Sequence, residues 1–277
     1  MLQLSNTYTF EFADRERVVI GPDPTVENWA GHIVDIAATS DATQAVTSIP
    51  GVNGAIVGDT TLGSFNLTIE VLVTGAEPAE RAMYLRKLDK LSRAYTEDCT
   101  LYWTEADGLE RRLAGLRKSQ FAPVGHTDGP AKKRVFSFVA PLPLIETKRS
   151  HVLTIATTTA SGVTSGSGTV LNAGSGPAYP ELRLYGPFTA ATVTLGTGEL
   201  LTITRTVIAG DYILVKCKPQ ERGVFLNGAT NVYANLSWLT STFFSVPPGS
   251  TSLTYSTTGG TAGTTSLRAE WRSAWLL

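Results

Sequence analysis

Side chains able to do acid–base, nucleophilic or metal chemistry are few in this sequence, and their spacing decides what they can do. The three histidines, His32, His126 and His151, lie far apart along the chain. None has a second histidine or a cysteine at the close spacing a zinc site uses. His126-Thr127-Asp128 puts an imidazole beside a carboxylate, but its Gly/Pro flanks read as a solvated loop. Cys99 and Cys217 each sit in an apolar, strand-like run, which reads as two buried free thiols made in a reducing cytosol. Acyl transfer on a hydrolase turn needs Gly-x-Ser-x-Gly, and phosphate cradling needs a glycine run ending in Gly-Lys-Ser/Thr; neither is present. Carboxylates cluster at Glu97-Asp98 and Glu105/Asp107, where acid–base work would need them to converge on a cleft. Both clusters lie beside turns and read as solvated charges. Gly196-Thr197-Gly198 falls between two β-like segments and reads as a hairpin turn. These residues imply no catalytic, metal or cofactor site.

Aromatic side chains offer a different chemistry, stacking. Trp238, Trp271 and Trp275 lie in the second half with Tyr179, Tyr185, Phe243 and Phe244. One reading is a sugar-binding face. The other is a core or subunit interface, where large rings bury the most area. Trp271 lies on the alternating face of a strand, which favours the core, and Trp275 reads as an interface residue. Charge narrows the partners further. The formal net charge is −1, from 23 Lys+Arg and 24 Asp+Glu. Residues 1–150 hold 16 basic and 19 acidic side chains, and the remainder hold 7 and 5. Phosphate binding draws on a basic excess, so neither half reads as a nucleic-acid binder.

The elements that must carry these residues are mostly strands. Phe65, Leu67, Ile69, Val71 and Val73 alternate with more polar neighbours, the period of a half-buried strand. Val135–Val139 reads as a more buried strand ended by Pro141 and Pro143, and Cys99–Trp103 and Arg112–Leu116 as two strands around the turn Ala106-Asp107-Gly108. One helix is expected over 78–95: Pro78 suits its first turn, and Tyr84, Leu88, Leu91 and Tyr95, widened by Leu85, form its apolar stripe. Thr157–Gly162 and Ser165–Gly168 are Thr/Ser/Gly-rich and read as a linker over 151–178 between domains at 1–150 and 179–277. Beyond it short strands recur at Glu181–Tyr185, Leu201–Thr204, Tyr212–Cys217, Phe243–Val246, Leu253–Tyr255 and Leu267–Arg272, the spacing of an antiparallel sandwich. The N-terminus lacks a basic region followed by an apolar run, and no apolar stretch is long enough to span a bilayer; this reads as synthesis in the cytoplasm without a signal peptide and no membrane insertion.

Several stretches together resemble one family. Asn172-Ala173-Gly174 followed by Tyr179-Pro180-Glu181-Leu182-Arg183-Leu184-Tyr185-Gly186-Pro187 resembles the beginning of the C-terminal domain of siphophage distal tail (Dit-like) proteins. Gly198–Ile203, Phe243–Ser250 and the ending Glu270–Leu276 are similar to that domain too, and the N-terminal order of strand, Pro-started helix and paired strands is also similar. The opening, residues 2–63, departs most, with loop-like Asp23-Pro24-Thr25 and Gly51-Val52-Asn53-Gly54. The resemblance implies a mainly β fold: an N-terminal β-sandwich-like domain with one helix, then a C-terminal galectin-like antiparallel β-sandwich. It implies a structural protein of the virion tail tip and no enzyme. Its partners would be further copies in a homo-hexameric ring, the tail tube protein, and tail-tip hub, tail-associated and host-adhesion proteins. The alternative is a carbohydrate-binding module that attaches a phage tail to host-wall polysaccharide.

Overall fold

Period-two alternation of apolar and polar residues becomes paired strands in the computed structural model, within two units, Met1–Lys148 and Arg149–Leu276. The structure describes residues 6–27, 29–48, 55–105, 108–122, 132–142, 144–160 and 163–276. Gly51-Val52-Asn53-Gly54, Ala106, Asp107, His126-Thr127-Asp128, Pro143 and Ser161-Gly162 lie outside the described residues.

The first unit contains β1 (Tyr8–Phe12), β2 (Arg17–Ile20), β3 (Trp29–Ser48), β4 (Ala55–Val73), α1 (Pro78–Asp89), β5 (Cys99–Thr104), β6 (Glu110–Ala122), β7 (Lys132–Ala140) and β8 (Leu144–Thr147). Neighbours pair antiparallel, except β2 and β3, which run parallel. Besides β8, which it meets at Arg111 and Arg112, β6 serves two partners in turn: Glu110–Leu116 faces β5, and Arg117–Ala122 faces β7. The order β6-β5-β1-β2-β3-β4-β7 therefore returns to β6 and closes. Within that circuit, closure removes the exposed edges that an open sheet would present. The mainly β reading holds, and the strands of the N-terminal unit run in a closed circuit. Its core is the alternating face: Tyr8, Phe10 and Phe12, then Phe65, Leu67, Ile69, Val71 and Val73, with Leu101, Trp103, Phe136 and Phe138. The rings of Phe10 and Phe138 stack at 5.1 Å.

The expected helix over 78–95 is an α-helix to Asp89 that tightens into a 3-10 turn over Lys90–Tyr95. Pro78 enters it at the first turn, where a missing N–H costs nothing. Glu80 reaches back to accept from the Ala76 N–H at 2.9 Å, and Arg81 Nη1 donates to Gly75 O at 2.7 Å. Leu88 and Leu91 are fully buried, as the stripe requires, and Tyr84 meets Trp29 of β3 edge-on at 4.7 Å.

The second unit contains β9 (His151–Ala156), β10 (Thr158–Ala160), β11 (Val163–Asn172), β12 (Glu181–Tyr185), β13 (Phe188–Leu195), β14 (Leu200–Val207), β15 (Tyr212–Lys216), β16 (Gly223–Leu226), β17 (Thr230–Asn231), β18 (Gly249–Thr258), β19 (Ser266–Trp271) and β20 (Ala274–Leu276). All but β20 build two antiparallel sheets, β10-β11-β18-β13-β14 and β17-β16-β15-β12-β19-β9. Leu253 and Tyr255 face inward from one sheet, Leu267, Ala269 and Trp271 from the other. Trp271 Nε1 donates to Leu171 O at 2.9 Å, tying β19 to β11.

Two expectations are corrected here. Residues 151–178 are not a linker; they supply β9, β10 and β11, and β11 pairs with β18 over its whole length. Its glycines are there for closeness, not freedom. A Cβ on Gly166 would come within 2.4 Å of Ala156 O, and one on Gly168 within 2.9 Å of a Leu153 methyl. Composition alone does not separate flexible glycines from tightly packed ones. Phe243–Val246 is not a strand either: only Val246 bridges, exchanging backbone bonds with Ala178. Phe244 and Val246 are buried all the same, so the alternation reported burial without a ladder.

Tyr255 carries a second finding. It is fully buried and its hydroxyl has no hydrogen-bond partner, and burial raises its pKa. An unsatisfied buried hydroxyl carries its desolvation penalty uncompensated. Tyr255→Phe is expected to raise the stability of this unit by about 1 kcal/mol, read as a higher midpoint in urea unfolding. A lower midpoint would show that the hydroxyl is satisfied in solution.

Candidate interaction surfaces

No group of three or more His, Cys, Asp or Glu is placed to hold a metal among the described residues. Cys99 and Cys217 are buried free thiols. Burial pushes each up to about 12, with the Asp98 and Glu97 charges adding to Cys99, so neither is a thiolate nucleophile near neutral pH. His32 packs edge-on against Trp29 at 4.9 Å. His151 lies on Trp271 at 5.6 Å, and its Nε2 sits 3.2 Å from Ser273 Oγ. That spacing is what a nucleophile and its base require. Yet Ser273 is fully buried, and its Oγ also accepts from the Ala173 N–H at 3.0 Å. It is a structural hydroxyl with no substrate access. The carboxylates beside the turns are held in ion pairs, Asp98 with Arg117 and Glu105 with a buried Arg111 at 3.1 Å. Gly196-Thr197-Gly198 forms the expected hairpin turn, with Gly198 at φ 105° and its N–H on Leu195 O at 2.9 Å.

What the chain does present is surface. The expected core aromatics divide once packed: Trp271 and Phe244 are buried, Tyr179, Tyr185 and Trp275 are half-buried, and Trp238 is 59% exposed. Trp238 meets the ring of Tyr233 at 4.5 Å and 70°, and Tyr233 lies nearly parallel to Phe243 at 5.9 Å. The Arg222 guanidinium stands 5.8 Å from the Phe243 ring centre. Leu239 beside them is fully exposed. Sequence reading singled out Trp238 and Phe243 but not Tyr233, Arg222 or Leu239. One signal was available: from Gly223 to Leu267 the chain has no charged side chain at all.

A second surface is made of backbone. β3 and β4 pair from His32↔Leu72 to Ser48↔Ala55. β2 reaches β3 only at Trp29–Gly31, and β7 pairs with β4 only at Phe65–Val73. Ala42–Ser48 and Ala55–Leu62 therefore pair with each other and with no other strand among the described residues. At ~3.3 Å per residue this is roughly 20 Å of two-stranded ribbon, unpaired on its outer edges.

Residues 173–275 match the family described as siphovirus-type tail component, C-terminal domain. No curated protein sequence matches the chain. The crystal structure of SPP1 Dit, described as a paradigm of the hub adsorption apparatus in phages infecting Gram-positive hosts, is similar in fold, with TM-score 0.65 at 15% identity over 97% of this chain and 99% of that one. A chain of the phage P2 baseplate in its activated conformation with Ca gives TM-score 0.47 at 11% identity over 98% of both chains. No helix among the described residues is long and apolar enough to cross a membrane. The expected likeness to distal tail proteins is borne out: residues 173–275 match the siphovirus-type tail component, C-terminal domain, and the chain as a whole is similar in fold to SPP1 Dit.

Proposed function

We propose that this chain is a non-enzymatic hub of the virion tail tip. In this reading the N-terminal units of several copies, six by family likeness, close into a ring that joins the tail tube to the tail-tip and host-adhesion proteins. The galectin-like C-terminal domain serves as the outer module. The observation that carries the reading is the ribbon of β3 and β4. A lone two-stranded ribbon is marginally stable in water, and its free edges invite further strands. Head-to-tail contacts that satisfy those edges from copy to copy close under rotational symmetry. The buried thiols, the inaccessible Ser273 and the ion-paired carboxylates support the absence of catalysis. Light scattering coupled to size exclusion tests the assembly. A hexamer is expected at about 177 kDa, six times the 29.5 kDa chain. A monomer at every concentration, both alone and mixed with the tail tube protein, overturns the ring.

A further inference from the structure

We infer that Trp238, Tyr233 and Phe243, with Arg222, form a saccharide-stacking site on the second unit, independent of whether the chain forms a ring. The geometry supplies two ring planes at an angle. Tyr233 and Phe243 lie within 13° of parallel, and Trp238 crosses Tyr233 at 70°. A pyranose presents a flat C–H face to one aromatic plane and an edge to another, and an exposed indole is the side chain best suited to that contact.

The loop that carries the rings is held in place before any ligand arrives. Ser237 N donates to Thr202 O at 2.9 Å, and Thr242 N to Leu200 O at 2.8 Å. Between them Ser241 Oγ accepts from Thr202 N at 2.9 Å. Asn235 is clamped from both sides, its Nδ2 donating to Thr204 O at 3.3 Å and its Oδ1 accepting from Arg205 Nη1 at 3.2 Å. Trp238 thus stands on a loop stitched to β14, so ordering it on binding costs little.

The chemistry around the rings favours a sugar over a protein. Anchor residues at protein interfaces sit inside a polar rim that is often charged. Here the 223–267 stretch offers hydroxyls and amides and no charge, with Arg222 and Arg268 at its two ends and Arg222 the one placed against the Phe243 ring. Such groups match sugar hydroxyls, and the Arg222 guanidinium brings five N–H donors to the edge of the platform. With no carboxylate in that stretch, both neutral and anionic glycans are admitted.

The test titrates the full chain with β-1,4-linked hexasaccharides of glucose and of N-acetylglucosamine, followed by tryptophan fluorescence and calorimetry. Saturable binding is expected for at least one glycan, with Kd on the order of 1 mM or tighter. Trp238→Ala is expected to weaken it about tenfold or more, equivalent to about 1.4 kcal/mol. Because Trp238 is exposed, that variant should keep the parent melting temperature, and Trp238→Phe should retain most of the binding. No response to either glycan up to about 10 mM overturns the site, as does binding that Trp238→Ala leaves intact. If neither glycan binds while Trp238→Ala or Leu239→Ser lowers the assembled mass, the patch is a protein contact and the saccharide assignment is wrong.

Discussion

Replacing Leu88 with aspartate is expected to unfold the N-terminal unit. Leu88 has no exposed surface and lies on the inner face of α1, one turn from the buried Leu91. Truncating a leucine in such a position costs about 2–5 kcal/mol. A carboxylate there adds the cost of an unpaired buried charge, or of the proton taken up to neutralise it. The sum rivals the whole stability of an ordinary domain, about 5–15 kcal/mol. The variant should lose its near-ultraviolet circular dichroism or precipitate on expression. Asp89 on the neighbouring solvent face provides the contrast: it is exposed, and Asp89→Leu is expected to fold with a near-parent melting profile. A soluble Leu88→Asp protein with the parent melting profile would mean that another face of the helix meets the core.

The largest effect in the second unit belongs to Asn172. Its side chain is fully buried, yet all its hydrogen-bonding capacity is used. Nδ2 donates to Gly176 O at 2.7 Å and to Val246 O at 3.0 Å. Oδ1 accepts from Gly174 N at 3.1 Å and from Ala274 N at 3.2 Å. One amide therefore joins the end of β11 to three other stretches of chain. Gly174 makes this closure possible: a Cβ there would stand 1.7 Å from Ala274 O. Asn172→Leu removes four bonds and leaves buried backbone groups without partners, at about 1 kcal/mol per bond or more. A loss of about 4 kcal/mol is expected, read as a lower urea midpoint.

Asn172→Asp sharpens the test through pH. Full burial and the two facing carbonyls disfavour an ionised carboxyl there more than the Gly174 and Ala274 N–H groups favour it, so its folded-state pKa should lie above the ordinary value of about 3.9. Stability is then fully present below that ordinary value and lost as pH rises through the higher folded one. The variant should be least stable at neutral pH and recover on acidification, whereas Asn172→Leu should not. Parent-like stability of Asn172→Leu at pH 7 would show that water replaces the side chain.

Much of this was legible in the residues themselves. Alternation at Phe65–Val73 located a strand and its buried face, because side chains on a pleated strand alternate in and out. Pro78 and the Leu88/Leu91 spacing located the helix and its inner side, because both are local consequences of helix geometry. The motif Asn172-Ala173-Gly174 drew notice as a family likeness, but its role as a clasp needed Val246 and Ala274, roughly 70 and 100 residues further on.

The remainder was decided by contacts distant in sequence. That Gly166 and Gly168 pack a strand depends on β9 lying against them, and a glycine-rich string carries no record of what approaches it. The return of β6 to β7, which closes the first unit, is a pairing choice that alternation leaves open, since any apolar face can meet several partners. The fate of each tryptophan was decided in the same way. Trp238 and Trp271 are the same residue in similar company, and only packing buried one and left the other on the surface.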